Sequence, residues 1–205
     1  MISKMFTVQG RLKDLSVNDL ESRILEILAG RRKLTLQPEN LVRAAVLVPI
    51  IRRSGEYCIL FMKRPKNMKH HPGQISFPGG IFEERDLTLK GTVIREMHEE
   101  LGVDVGDIKF LGELDDYATT TGFLISPFVG SIPYPYNFKV NKEEVADLII
   151  VPVEELTSPP KVGYIVREGK HYPVYYYELT EHIIWGATAR ILKNFMDTIF
   201  SGAST

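Results

Sequence analysis

Ser76-Phe77-Pro78-Gly79-Gly80 and, after fourteen intervening residues, Arg95-Glu96-Met97-His98-Glu99-Glu100-Leu101-Gly102-Val103 decide how this chain is read. Val93, Met97 and Leu101 recur at four-residue spacing, which predicts a helix over 87–101 with those three as its buried stripe. Gly102 then ends it as a left-handed cap. Residues three and four apart share a helix face, so Glu96, Glu99 and Glu100 are expected to converge. Like charges gathered this way cost stability unless something positive neutralises them, and a hard divalent cation suits carboxylate oxygens. A solvated acidic helix face is the alternative for the glutamates alone. The preceding turn shifts the balance, because glycines after a proline permit close backbone approach and offer amide N–H groups to a phosphate.

Working upstream, Lys63, Arg64, Lys66, Lys69, His70 and His71 fall within nine positions that contain no acid. Beside an acidic cation site, such a block suits a polyanion bridged between metal and basic side chains. Further out, 44–51 and 56–62 are apolar runs around Ser54-Gly55, which predicts a hairpin. Short strands are expected at 74–77, 108–117, 124–132 and 145–151, then a helical turn at 152–156 and a second hairpin over 162–178. A terminal helix over 185–200 carries Ile191, Phe195 and Ile199 on one side. Trp185 is expected to anchor that helix by packing, and Tyr172, Tyr175, Tyr176 and Tyr177 form an aromatic strand expected to supply core and sheet face, with a homodimer interface the second reading. Ahead of all this, Leu20, Ile24, Ile27 and Leu28 mark a helix started by Ser16 and followed by Arg31-Arg32-Lys33, a trio expected to be solvated. Elements in this order predict an α+β sandwich with a mixed sheet. The division expected is an N-terminal helical extension, 1–40, and a main domain, 41–205.

The 205 residues carry 25 Lys and Arg against 26 acids, a formal charge of −1, so no global field favours nucleic acid or an anionic membrane. The single cysteine, Cys58, sits in an apolar run, which excludes a disulfide framework and a cysteine-rich zinc site and predicts a buried thiol. No stretch reaches the length of an apolar membrane span. A cytoplasmic protein is expected.

Gly80, five residues, Asp86, eight residues and Arg95-Glu96-Met97-His98-Glu99-Glu100-Leu101-Gly102-Val103 resembles the Nudix box. Asp86 stands where the usual pattern has Glu, and one extra residue precedes Arg95; both resemble the coenzyme A pyrophosphatase branch. That branch's upstream pattern is matched by Arg64, His71, Gly73 and Phe77-Pro78-Gly79-Gly80, with Met68 and Lys69 in place of Leu and Arg. Later segments, 121–130, 141–145 and 184–192, look like landmarks of the same branch.

The resemblance implies an α/β/α sandwich with a central catalytic loop-helix and hydrolysis of a nucleoside diphosphate derivative. It implies Mg²⁺ or Mn²⁺ on Glu96, Glu99 and Glu100, with Arg95 holding a carboxylate in place and Asp86 its partner. Glu99 and Glu144 are the candidates for general base. Arg64, Lys69, His71, Gly79 and Gly80 would contact substrate, His71 either by donating to phosphate or by bracing its loop. For coenzyme A the products would be adenosine 3′,5′-bisphosphate and 4′-phosphopantetheine, and the extra 3′-phosphate gives the basic block a purpose. ADP-ribose, a dinucleotide or a nucleoside triphosphate is the alternative substrate, and a silent nucleotide-binding module the alternative from another class.

Overall fold

The computed structural model describes residues 19–37, 39–68, 71–167 and 169–200. Strand β1 (Val42–Arg53) turns at Ser54 and Gly55, both at positive φ, into the antiparallel β2 (Glu56–Lys63). That backbone matches the right-handed twist of the flanking strands. From Arg53↔Glu56 to Ile50↔Ile59 the two strands pair directly, and beyond that they splay. The opened wedge is filled by one segment of chain: β3 (Ile75–Ser76) pairs with the end of β2, and β4 (Gly79–Ile81) pairs with β1 at Ala45↔Gly80.

On its other side β1 runs parallel to β7 (Phe123–Ser131), which carries β5 (Lys109–Glu113) and the short β6 (Tyr117–Ala118). β8 (Asp147–Pro152) lies outside β2, completing a mixed eight-stranded sheet. Along β1 the alternation is strict: Ala45 and Leu47 face one layer, Val48 and Ile50 the other.

Helix α2 (Leu89–Leu101) covers the first face, with Val93, Met97 and Leu101 fully buried as the spacing predicted. Its first residue is Leu89 rather than 87, because Thr88 supplies the N-cap by accepting from the Gly91 N–H. The second face is covered by α1 (Asp19–Gly30) and α3 (Gly186–Phe200), whose Ile191, Phe195 and Ile199 are buried. This is the α/β/α sandwich, mixed-sheet and α+β, that the sequence implies. A three-stranded antiparallel sheet, β9 (Lys161–Arg167), β10 (Lys170–Glu178) and β11 (Ile183–Trp185), leads into α3.

Two sequence expectations change. Trp185 closes β11 and is 47% exposed, so the buried anchor is its neighbour Ile184. The basic trio is not merely solvated: Arg31 pairs with Asp115, and Lys33 bridges Glu113 and Asp116. Asp116 is buried and also accepts from Ser126 Oγ and the Leu36 N–H. Cys58 is buried as expected. Ser16 lies outside the described residues, as does any cap it makes. Among the described residues no helix is long and apolar enough to cross a membrane.

Helix α1 is seated in the same core as α3. Leu20 and Ile24 are fully buried there, and Leu28 lies so close to Gly112 that a Cβ at that glycine would collide with it. Ile24→Ala is therefore expected to cost the whole fold about 2–4 kcal/mol in denaturant titration. A second transition, unaffected by the substitution, would instead mark 41–205 as independent of the helix.

Candidate active site

The wedge between β1 and β2 sets the position of the glycines. Gly79 adopts φ +145°, and a Cβ there would collide with the Ala45 carbonyl. A Cβ on Gly80 would collide with the Glu96 carboxylate. The turn therefore lets α2 bring its acids directly onto the backbone, and the Gly79 N–H donates to Glu100 Oε2 at 3.0 Å.

Glu96 and Glu100 are one helical turn apart and both turn inward. The Glu96 side chain is 12% exposed and Glu100 is 2% exposed. The third acid arrives from a different part of the chain. Gly102 ends α2 in the left-handed conformation, and the Lys139 and Asn141 N–H groups donate to the now unpaired carbonyls of Leu101 and Glu100, at 2.9 Å each. The loop docked in this way forms a turn over 141–145, where Asn141 Nδ2 donates to Glu144 Oε1 at 3.2 Å. Carboxylate oxygens of Glu96, Glu100 and Glu144 consequently lie within 4.8 Å of one another.

Electrostatics make this arrangement costly without a counter-charge. Burial, reinforced by the Glu96 and Glu144 charges, pushes the Glu100 carboxyl up to about 9. Burial raises Glu96 as well, though Arg95 opposes it. The nearest basic help for Glu100 is Arg64, whose buried Nε has no hydrogen-bond partner. Three hard oxygen donors, packed and short of positive charge, fit a divalent cation such as Mg²⁺ or Mn²⁺.

Arg95 holds the other side of the helix. Its Nε donates to Asp86 Oδ1 at 2.7 Å and one terminal nitrogen to Oδ2 at 3.2 Å, a bidentate pair. The remaining nitrogen donates to Glu96 at 2.7 Å and Glu99 at 3.0 Å. Asp86 also accepts from Thr92 Oγ1 and the Glu83 N–H, and these donors, Arg95 first, hold its carboxyl well below the usual range. Between Asp86 and the helix the chain turns at Leu87, which is 86% exposed at φ +61°, a strained setting for a leucine.

The structure separates Glu99 from the cluster it was expected to join. At 96 and 100 the side chains project to one side, whereas 99 is rotated off it, 44% exposed and held by Arg95 and Arg85. His71 Nδ1 meets Gln74 Oε1 at 2.8 Å, a bracing contact within its loop. Lys69 lies outside the described residues. Sequence reasoning missed Gly91 and Thr92. A Cβ at Gly91 would collide with the Asp86 carbonyl, and a glycine inside a helix at that spacing is the signal that could have found it.

Acids turned inward beside a glycine turn and an arginine clamp make a site suited to a divalent cation. Residues 41–168 match the NUDIX domain family. The Nudix hydrolase NudL of Photorhabdus laumondii subsp. laumondii is 32% identical over 188 residues, 90% of this chain and 98% of that protein. NudL of Enterobacter sp. (strain 638) is 33% identical over 182 residues, 88% of this chain and 93% of that protein. Among solved structures, the C. elegans Ap4A hydrolase binary complex aligns at TM-score 0.47 and 17% identity, over 56% of this chain and 82% of that one. The Nudix domain of Shewanella oneidensis NrtR complexed with ADP ribose aligns at TM-score 0.44 and 18% identity, over 64% of this chain and 84% of that one. The chain belongs to the Nudix family and is a pyrophosphatase-type hydrolase.

Asp86→Asn breaks an ion pair that is almost wholly covered and is expected to cost about 2–4 kcal/mol at neutral pH. Because the folded carboxyl titrates lower than the unfolded one, its stabilisation is complete above the ordinary range near 3.8 and is lost as pH falls below it. Melting temperatures taken from pH 7 down to pH 2 should therefore converge for wild type and variant. A constant gap across that series would refute the assignment.

Proposed function

We propose that this chain hydrolyses the diphosphate linkage of coenzyme A or an acyl derivative, releasing adenosine 3′,5′-bisphosphate and 4′-phosphopantetheine or its acyl form. The observation that carries the reading is the Glu96–Glu100–Glu144 cluster with Arg64 beside it. Those three carboxylates would hold Mg²⁺ or Mn²⁺, which when bound neutralises the diphosphate and lowers the pKa of water. Coenzyme A is favoured over other diphosphates by the residues that resemble its branch, Arg64, His71, Gly73 and Phe77-Pro78-Gly79-Gly80.

The protein's own groups then have distinct tasks. Arg64, with a buried unpaired Nε, donates to a diphosphate oxygen, and Lys69 adds positive charge from the same loop. His71 braces that loop through Gln74. Gly79 and Gly80 keep the backbone close enough for substrate to reach the carboxylates. Glu144 is committed to the cation. Glu99 is the carboxylate left to accept a proton from the attacking water, and the Arg95 nitrogen it shares with Glu96 fixes its position. Arg95 and Asp86 position these acids without touching substrate.

A panel of diphosphates incubated with Mg²⁺ or Mn²⁺, products separated by chromatography, tests the substrate. Adenosine 3′,5′-bisphosphate from coenzyme A is the expected product, and intact coenzyme A alongside cleaved ADP-ribose or dinucleotide would overturn the assignment. Glu100→Gln removes the cost of burying an ionisable carboxyl, so in chelator this variant should melt above wild type while losing at least about 100-fold in turnover. For Arg64→Ala a rise in KM for coenzyme A of about tenfold or more is expected, and unaltered kinetics would remove Arg64 from the site.

A further inference from the structure

Tyr117 stands opposite Ile125 in the β6–β7 pair, and directly opposed residues share one face of a sheet. Ile125 and Tyr175 both pack on the core that α1 and α3 close, whereas α2, which carries Glu96 and Glu100, packs on the other core. On the α3 side the chain leaves a cavity of about 680 Å³ between β6, β10 and α3, within the size range of small-molecule sites. A hydrogen-bonded sheet separates this cavity from the acids. Whatever it holds is therefore a different molecule from the one whose diphosphate meets the glutamates.

The walls have a definite chemistry. Tyr117, Tyr172 and Tyr175 supply aromatic surface, and no lining residue is acidic. Arg190 supplies the charge. Its guanidinium lies over the Tyr175 ring, 5.2 Å from the centre, and although burial raises the Tyr117 phenol, the Arg190 charge opposes that rise. Lys193 Nζ comes within 5.8 Å of the Tyr175 ring but is paired with Asp197, whereas Arg190 makes no ion pair or hydrogen bond among the described residues. An exposed arginine positioned by a tyrosine keeps its fork of donors free for a carboxylate or phosphate.

One kind of ligand uses both features together. A bare phosphate would leave the aromatic walls in water, and a neutral ring would leave the guanidinium without an anion. We propose that this cavity is a second ligand site, independent of the acidic cluster, for a small molecule that joins an aromatic ring to a phosphate or carboxylate. Arg190 receives the anion, and Tyr117, Tyr172 and Tyr175 receive the ring. The assignment does not depend on which diphosphate the acidic site cleaves.

Calorimetric titration with phenyl phosphate in the presence of a chelator tests the site without relying on turnover. With no divalent cation present, the acids of the catalytic site repel the probe, so binding reports on the cavity. Wild type should bind phenyl phosphate about tenfold or more tightly than phenol or inorganic phosphate, as a charge-assisted arginine contact beside aromatic walls would give. Arg190→Gln, an exposed substitution, should remove that advantage, and Tyr175→Leu should weaken phenyl phosphate about fivefold. Arg64→Ala, beside Glu100 on the other face, should leave its affinity within about twofold. No advantage over phenol and phosphate in wild type, an advantage that survives Arg190→Gln, or binding lost in Arg64→Ala overturns the proposal. Hydrolysis of coenzyme A by Arg190→Gln should stay within about twofold in both kcat and KM, as separate faces require. A rise in KM of about tenfold would instead make the cavity part of the substrate site and end its independence.

Discussion

Everything near the acids depends on a steric absence. The Glu96 carboxylate occupies space that a side chain at position 80 would fill, and a side chain at position 79 would run into the Ala45 carbonyl and Val46 of β1. Because β1 and β2 splay, a third segment must enter the sheet between them, and only residues without Cβ atoms let that segment run against a helix bearing long carboxylates. Gly79 thus opens β4, and its amide donates to Glu100. Fold and site are the same packing event viewed from two sides.

That packing leaves the inner carboxylate short of positive charge among the described residues. Arg95 is already engaged by Asp86 in a bidentate pair, and of the acids on its own helix it reaches Glu96 and Glu99. Arg64 approaches Glu100 but leaves its Nε without a partner. Two arginines thus flank the acids while the inner carboxylate remains undercompensated, and its preference for the protonated form follows from burial before any neighbour is counted. A site built for stability would have replaced Glu100 with an apolar residue of similar volume. Retaining it is the mark of a cation-binding function.

The fold was legible where the sequence is periodic. Val93, Met97 and Leu101 marked α2, and the runs flanking Ser54-Gly55 marked the first hairpin. What escaped was short or non-local. β4 and β11 are three residues each, too brief for any period, and Trp185 read as helical because a two-residue alternation cannot be told from a helix start. Asp115 and Asp116 received Arg31 and Lys33 across some eighty residues, a pairing that local charge arithmetic could not anticipate. Within the site, i and i+4 spacing placed Glu96 with Glu100, but treating i+3 as equivalent put Glu99 in the wrong company. Glu144 was named from the resemblance as a candidate base, and the loop that caps α2 brings it beside Glu96 and Glu100.

Lys139 and Asn141 satisfy carbonyls that every helix leaves unpaired, so Glu144 is delivered by a contact the helix would need in any case. On the opposite face, α1 and α3 bury Leu20, Ile24, Phe195 and Ile199 in a separate core cluster. The acidic cluster is therefore held by α2 and its cap on one face, while α1 and α3 close the other, so their packing reaches the glutamates only through the stability of the sheet between them.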